Sequence, residues 1–122
     1  INTTNIYTLV DLAISTSKIK NDISFTKNYD PSIPEFKLDA SSFIKTLNQI
    51  FEVFKDKDSV SCSILLKIGE YIKIDNKKYS LISVEIAANE KSDFSSLNVK
   101  ETNSFILTSD DTKITIDLPL IL

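Results

Sequence analysis

The sequence predicts an α+β fold, a two-layer sandwich with helices packed on one face of a mostly antiparallel (mixed) sheet of about five strands. Two helical patterns precede the main run of strand-like patterns, and short turns join the later strands to one another. The 122 residues are 42% hydrophobic and 25% charged, which is ordinary for one globular domain. Residues 1–122 are therefore predicted to form a single domain, and the start at Ile1 suggests excision from a longer chain.

Two segments carry apolar residues at helical spacing. In the first, Thr3 or Thr4 can cap the helix, and the apolar positions are Ile6, Leu9, Val10, Ala13 and Ile14. In the second, Asp39 is the predicted N-cap, and the polar run 55–58 ends the helix. The apolar stripe of this second helix consists of Ala40, Phe43, Ile44, Leu47, Ile50, Phe51 and Phe54.

Alternating apolar residues predict the strands. The clearest run extends from Val60 to Ile68 and continues past Gly69 to Ile74. The other predicted strands are 21–27, a short strand at 36–38, 81–88, 105–108 and 114–120. Turns are predicted at 30–34, where two prolines fix the backbone, at 75–78 and at 109–111. Residues 89–103 have weak periodicity and are predicted to be a loop with at most one helical turn.

The composition excludes several classes of function. All 14 basic residues are lysines, so no arginine is present to hold a phosphate in bidentate fashion. The lysines are scattered among 17 acidic residues, which argues against binding to nucleic acid. No apolar run approaches the roughly 20 residues that span a bilayer, and no signal peptide is visible. We therefore expect a cytoplasmic domain that makes no contact with a membrane.

The reactive side chains offer no catalytic set. Cys62 is the only cysteine and lies on the apolar register of its strand, so it is interpreted as a small buried hydrophobe in a reducing compartment. The chain has no histidine to serve it as a base. Asp56 with Asp58, and Asp110 with Asp111, could ligate a metal, but both pairs fit turns better. We expect no catalytic residue, no metal site and no bound cofactor.

Three segments follow one another in a familiar order: Ile23-Ser24-Phe25, the turn Asp30 to Pro34, and the helix from Asp39 to Phe54. The chain then finishes with a strand and Leu-Pro at 114–120. This order resembles the ATP-binding domain of sensor histidine kinases, in the GHKL ATPase family. The resemblance covers nearly the whole chain, and it implies a Bergerat-like fold in which the second helix carries the N-box.

The residues that the resemblance assigns to the nucleotide are missing. Matching the apolar stripe puts Gln49 and Val53 at the two N-box asparagines, the second of which would hold the magnesium ion. Val53 has no oxygen for a hard cation. Asn48 is adjacent in sequence, but one residue rotates a helix by about 100°, so we expect it to point elsewhere as a solvated residue. The site is thus predicted to be degenerate.

The glycine boxes are missing as well. The stretch from Ala87 to Asp93 contains no Asp-x-Gly-x-Gly motif, and Gly69 is the only glycine of the chain. Residues 89–103 stand where the family has its lid, its second glycine box and the helix after it. One wall of the nucleotide pocket is therefore expected to be absent, either by divergence or because a lid segment was removed.

The leading hypothesis is a non-catalytic regulatory or docking domain of a two-component signalling protein, which does not bind ATP. The resemblance implies a helical dimerisation segment or a response regulator as its protein partner. One alternative is a functional ATP-binding kinase domain with a diverged or truncated site. Another is an unrelated α+β protein-interaction module. An upstream helical hairpin bearing a histidine would favour a kinase origin, and its absence would favour the unrelated module.

Overall fold

The computed structural model describes residues 2–17, 19, 21–97 and 105–122, and it confirms the α+β fold. The two helices are α1 (Ile6–Thr16) and α2 (Ala40–Val53). The strands are β1 (Thr3–Thr4), β2 (Ser24–Tyr29), β3 (Phe36–Lys37), β4 (Ser59–Ile74), β5 (Lys77–Ala87), β6 (Ile106–Ser109) and β7 (Lys113–Pro119). Neither described helix is long and apolar enough to cross a membrane.

The main sheet has five strands in the order β2-β4-β5-β7-β6. β2 runs parallel to β4, and the other neighbours are antiparallel. A parallel pair of strands needs a long crossover connection. The segment between β2 and β4 contains α2, which forms this connection. The short strands β1 and β3 form a separate two-stranded sheet.

The apolar register of the sheet faces the helices and forms one core. Its polar register carries Ser83, whose Oγ donates to Asp117 Oδ1 at 2.7 Å, and Glu85, which lies between two lysines. Ser83 is only 2% exposed, whereas Glu85 and Asp117 on the same face are partly exposed. The strand residues buried against the helices are Val60, Cys62, Ile64, Ile82, Val84, Ile86, Ile114, Ile116 and Leu118.

Of the two N-caps predicted from the sequence, one is confirmed and the other is wrong. Asp39 caps α2 as predicted, because its Oδ1 accepts from Ser42 N at 3.2 Å. These hydrogen bonds favour the carboxylate and lower the pKa of Asp39. In α1 the cap is Asn5, whose Oδ1 accepts from Thr8 N at 3.2 Å, and not Thr3 or Thr4. Those two threonines instead pair with β3, which holds them in extended backbone.

The turn at 30–34 is anchored by Asp30. Its Oδ1 accepts from Ser32 N at 2.9 Å, its Oδ2 accepts from Leu66 N at 3.3 Å, and its carbonyl accepts from the Tyr7 hydroxyl. β2 extends up to this turn and starts at Ser24, so the predicted bounds 21–27 were three residues early at the start. Asn21 and Asp22 form a turn, in which Asp22 N donates to the Ile19 carbonyl.

The alternation of β4 breaks at a bulge, and this corrects the predicted apolar run. Lys67 is opposite Leu81 and Tyr71 is opposite Ser80, so three residues of β4 face no partner on β5. Gly69 supplies the positive φ of +83° that the bulge needs. Ile68 was predicted to share the face of Val60 to Leu66, but it is 91% exposed.

The later turns and strands lie where the sequence predicts them, but the ends of these elements are shifted. The β4–β5 turn is only Asp75 and Asn76, both with positive φ, and β5 already begins at Lys77. These conformations fit a two-residue hairpin turn. The turn at 109–111 is held by Asp110, whose Oδ1 accepts from the backbone N–H groups of Thr112 and Lys113, at 2.9 Å each. Residues 88–97 form a loop with one turn, while the rest of the predicted loop, 98–103, lies outside the described residues.

Candidate functional site

A groove of about 1190 Å³ lies along the outward side of α2. The end of α1 and the residues just after α2 line it on one side, and residues 91–97 line it on the other. Its volume is somewhat above the range of about 300–1,000 Å³ that is usual for small-molecule pockets. The residues that α2 contributes to the groove are Ser41, Ile44, Lys45, Asn48, Gln49, Glu52 and Val53.

The orientation of α2 agrees with the register read from the sequence. Five of the seven members of its predicted stripe are buried in the core, while Ala40 and Ile44 are half-buried and Ile44 also lines the groove. The five buried members, each at most 1% exposed, are Phe43, Leu47, Ile50, Phe51 and Phe54. Gln49 and Val53 are half-buried and line the groove, so both N-box positions of the resemblance face one cavity. Asn48 is exposed as expected, yet it also lines the groove, so the expectation that it points elsewhere was wrong.

The wall opposite α2 is fixed by three contacts. Phe94 packs against Phe54 with ring centroids 5.5 Å apart, in an edge-to-face arrangement. Lys57 Nζ donates to the Lys91 carbonyl at 2.7 Å, and Ser92 N donates to the Asp111 carbonyl at 2.7 Å. These contacts hold residues 91–94 close to the end of α2. The sequence offered no signal for them, because each joins residues far apart in the chain.

Charges of both signs are interleaved around the groove. The lining includes four lysines, at positions 45, 55, 57 and 91, and three acids, at positions 52, 56 and 93. Several are already neighbours of an opposite charge, since Lys57 lies 3.8 Å from Glu90 and Lys55 lies 3.9 Å from Glu52. Both pairs include an exposed acid, so each is worth little. The described lining of the groove therefore carries mixed charge and not a concentrated positive field of the kind that suits a polyphosphate.

The polar groups of the groove do not assemble a metal or catalytic centre. Within the described ranges, no group of three Cys, Asp or Glu side chains could hold a metal ion. Ser92 Oγ is buried and finds no hydrogen-bond partner among the described residues. It is the one buried side-chain oxygen or nitrogen without a partner in the part of the chain that the structure describes, and it was not singled out in the sequence. A lone hydroxyl without a base performs no acyl transfer.

The groove wall that follows β5 contains no glycine among the described residues. Residues 88–93 lead from the end of β5 to the groove, and every one of them carries a Cβ. Gly69 lies in β4 and is not among the residues that line the groove.

Cys62 lies in the core, apart from the groove. It is fully buried, and burial raises the pKa of its thiol to about 12. Nearby, Asp11 joins α1 to β2, because its Oδ1 accepts from Lys27 Nζ at 2.8 Å and from the Tyr29 hydroxyl at 2.9 Å. Burial and this carboxylate raise the pKa of Tyr29. The cluster fastens α1 to the sheet and offers no nucleophile.

Comparison with known proteins identifies the fold. No protein-family model matches the chain, and no curated protein matches it. The catalytic domain of the histidine kinase ThkA, solved in a nucleotide-free form, is similar over 99% of this chain and 97% of its own, with a TM-score of 0.58. The chain has the fold of a histidine kinase catalytic domain. At 11% identity, this likeness is one of fold alone.

Proposed function

We propose that this domain is a non-catalytic regulatory or docking domain of a two-component signalling protein, and that it does not bind ATP. The histidine kinase catalytic fold and the resemblance of α2 to the N-box helix support the origin. The observation that carries the loss of ATP binding is Val53, an aliphatic side chain half-buried at the groove where the resemblance implies the magnesium ligand. An aliphatic group cannot replace an oxygen ligand of a hard cation.

Three losses act together on nucleotide affinity. The magnesium ligand is replaced by Val53, no glycine lets the backbone at 87–93 approach the ligand, and no arginine is available for the phosphates. A dissociation constant of about 100 µM corresponds to roughly -5.5 kcal/mol. Loss of two charge-assisted contacts, at about 1.5–3 kcal/mol each, brings an ordinary micromolar site to that level or weaker.

Titration calorimetry with ATP, in the presence and absence of magnesium, tests the proposal. We expect no saturable binding tighter than about 100 µM and no rise of the melting temperature with ATP. The matched variant Val53→Asn restores an amide oxygen at one position, and we expect it to gain no measurable affinity because the other losses remain. Saturable binding by the native chain below about 10 µM would overturn the proposal.

The groove itself favours one second candidate, a functional ATP-binding kinase domain with a diverged site. The observation in its favour is a cavity of about 1190 Å³ on the N-box helix with four lysines in its lining. The same titration separates the two candidates, since this one requires saturable, magnesium-dependent binding. If Val53→Asn alone gained magnesium-dependent affinity, the groove would be a nucleotide site that lacks only its metal ligand.

For the docking role, the groove-facing side of α2 is the surface we assign to a protein partner. Ile44, Val53 and Leu97 give the groove a half-buried apolar floor between its charged rims. Apolar surface framed by charged residues is typical of recognition sites. A helical dimerisation segment or a response regulator is the partner that the fold and the resemblance suggest.

A further inference from the structure

A two-stranded ribbon projects from the sheet where β4 and β5 continue past their neighbours. β2 pairs with β4 only as far as Ile64, and β7 pairs with β5 only from Leu81 onward. Beyond these points the two strands pair with each other over four further rungs that end at Ile74 and Lys77. At about 3.4 Å per residue, four rungs extend roughly 14 Å. The first of them is still anchored, because Ser80 accepts from Leu120 N at 2.9 Å, and Ile72 is only 7% exposed. We call residues 67–80 the ribbon.

The ribbon exposes two large side chains at its bulge. Ile68 is 91% exposed and Tyr71 is 55% exposed, the two most exposed large hydrophobic residues outside the last residue of the chain, within the part that the structure describes. Among the described residues, no atom outside the adjacent chain lies within 4 Å of the place where a Cβ on Gly69 would be. The bulge thus exposes an aliphatic side chain, and the first paired residue after it exposes an aromatic one.

The ribbon is also basic in an acidic chain. It contains four lysines and two acids, whereas the whole chain has 14 lysines and 17 acids. Lys73 and Lys78 are directly opposite each other on the two strands and both are exposed. Like charges in opposite positions destabilise a hairpin, so folding alone does not favour this pair. Lys78 Nζ lies 4.1 Å from the centroid of the Tyr71 ring, which brings the basic and aromatic groups onto one face.

We propose that the ribbon binds an anionic lipid surface along the face that carries Tyr71, Lys73 and Lys78, with Ile68 of the bulge at its base. Ile68 would enter the boundary between headgroups and acyl chains, Tyr71 would lie at the headgroup level, and the lysines would contact the lipid phosphates. An anionic surface also relieves the repulsion between Lys73 and Lys78. This contact replaces the expectation of no membrane contact, which rested on the lack of a spanning segment and a signal peptide.

A lipid surface fits the ribbon better than a protein does. A stable protein interface buries about 800 Å² on each partner, and a ribbon with two exposed apolar side chains offers much less. Lys78 lies three residues beyond Leu81, the last residue of β5 that pairs with β7, which is about 10 Å along the strand. This distance exceeds the Debye length of about 8 Å at physiological salt, so the sheet's acidic residues are largely screened from Lys73 and Lys78.

Co-sedimentation of the 122-residue chain with vesicles tests the proposal. We expect binding to vesicles of phosphatidylcholine and phosphatidylserine in equal parts, and none to phosphatidylcholine alone. Ile68→Ser should weaken binding by about tenfold or more, because the inserted aliphatic group is lost. The double variant Lys73→Gln/Lys78→Gln should weaken it by about 25-fold, at about fivefold for each lysine.

Two matched controls distinguish a local contact from a change in overall charge or hydrophobicity. Lys45→Gln/Lys55→Gln removes the same charge from α2 and its end, and Leu12→Ser removes an exposed apolar group from α1. Both should bind vesicles like the native chain.

A tryptophan reporter gives a second readout that does not depend on affinity. The chain has no tryptophan, so Ile68→Trp introduces a single one at the tip of the bulge. Its emission should shift to the blue with the anionic vesicles, and that of Leu12→Trp should not. Equal binding to both vesicle types, full binding by Ile68→Ser, or no blue shift would overturn the proposal. Concentration-dependent self-association that Ile68→Ser abolishes would assign the bulge to a second copy and would also overturn the proposal.

Discussion

Truncation of Phe51 to alanine probes the contact on which the architecture depends, the packing of α2 on the sheet. Phe51 is 1% exposed, and its ring lies edge-to-face against Phe25 of β2, with centroids 5.6 Å apart. Removing a buried phenylalanine costs about 3–5 kcal/mol, of which the aromatic pair accounts for about 0.5–1.5 kcal/mol. A typical domain has only about 5–15 kcal/mol of stability, so the loss is a large fraction of the total.

The expected shift of the melting temperature follows from the chain length. Globular proteins unfold with about 2.1 cal/mol/K of entropy per residue, hence about 0.26 kcal/mol/K for this chain. The variant Phe51→Ala should therefore melt about 12–20 °C below the native chain. Urea unfolding followed by far-UV circular dichroism should give the same loss, with an unchanged dependence on urea concentration.

The control is Asn48→Ala, on the exposed side of the same helix, which should change stability by no more than about 0.5 kcal/mol. A double-mutant cycle with Phe25→Ala should give a coupling of about 0.5–1.5 kcal/mol. If Phe51→Ala cost less than about 0.5 kcal/mol, that face of α2 would lie in solvent and the assigned register would be refuted. A normal cost without coupling would keep the helix but refute its contact with β2.

Two further predictions concern titratable groups. Cys62 should resist alkylation at neutral pH, because its thiol is buried and has a pKa of about 12. In urea it should react at the rate of a free thiol. Fast labelling of the folded chain would show that the faces of β4 are reversed. The free energy of unfolding should fall as the pH drops below about 4. Asp39 has a lowered pKa in the folded state. Its contribution to stability is therefore present above the pKa of the unfolded state and is lost as the pH falls through the pKa of the folded state. Asp39→Asn keeps a side-chain oxygen at the cap and should flatten this dependence, and an unchanged acid titration would show that Asp39 does not contribute to it.

The elements that the sequence predicted best are those whose signals are local. The stripe of α2 and the cap at Asp39 need only helical spacing and one carboxylate, and both are confirmed. The bulge at Gly69 was missed because apolar residues continue on either side of it, so the alternation reads as unbroken while three residues change the register. The cap of α1 was misplaced because Thr3 and Thr4 pair with β3, a contact between distant residues that outweighs their local preference for a cap.

The groove could be predicted only in part, because one of its walls also depends on contacts between residues that are distant in the chain. The assignment of Gln49 and Val53 to one face follows from the helical period, and the structure does bring both to the groove. The opposite wall depends on Phe94 packing on Phe54 and on Lys57 reaching the Lys91 carbonyl, which no local pattern encodes. Asn48 shows the limit of angular reasoning: a groove wide enough to span about 100° of helix surface includes its side chain as well.

The side of α2 that faces the groove is itself an argument for protein contact. Ile44 and Val53 lie beside the buried stripe and are half-buried, so the apolar arc of the helix extends from the core into the groove. A magnesium-polyphosphate site needs the opposite, oxygen ligands and N–H donors on a surface that tolerates water, because hard cations dehydrate reluctantly. When the apolar arc of a helix continues into an open cleft, burying that arc against another apolar surface stabilises the complex. Under the proposed function, Val53 at the position where the resemblance implies a magnesium ligand would both lack a nucleotide contact and add apolar surface for a partner.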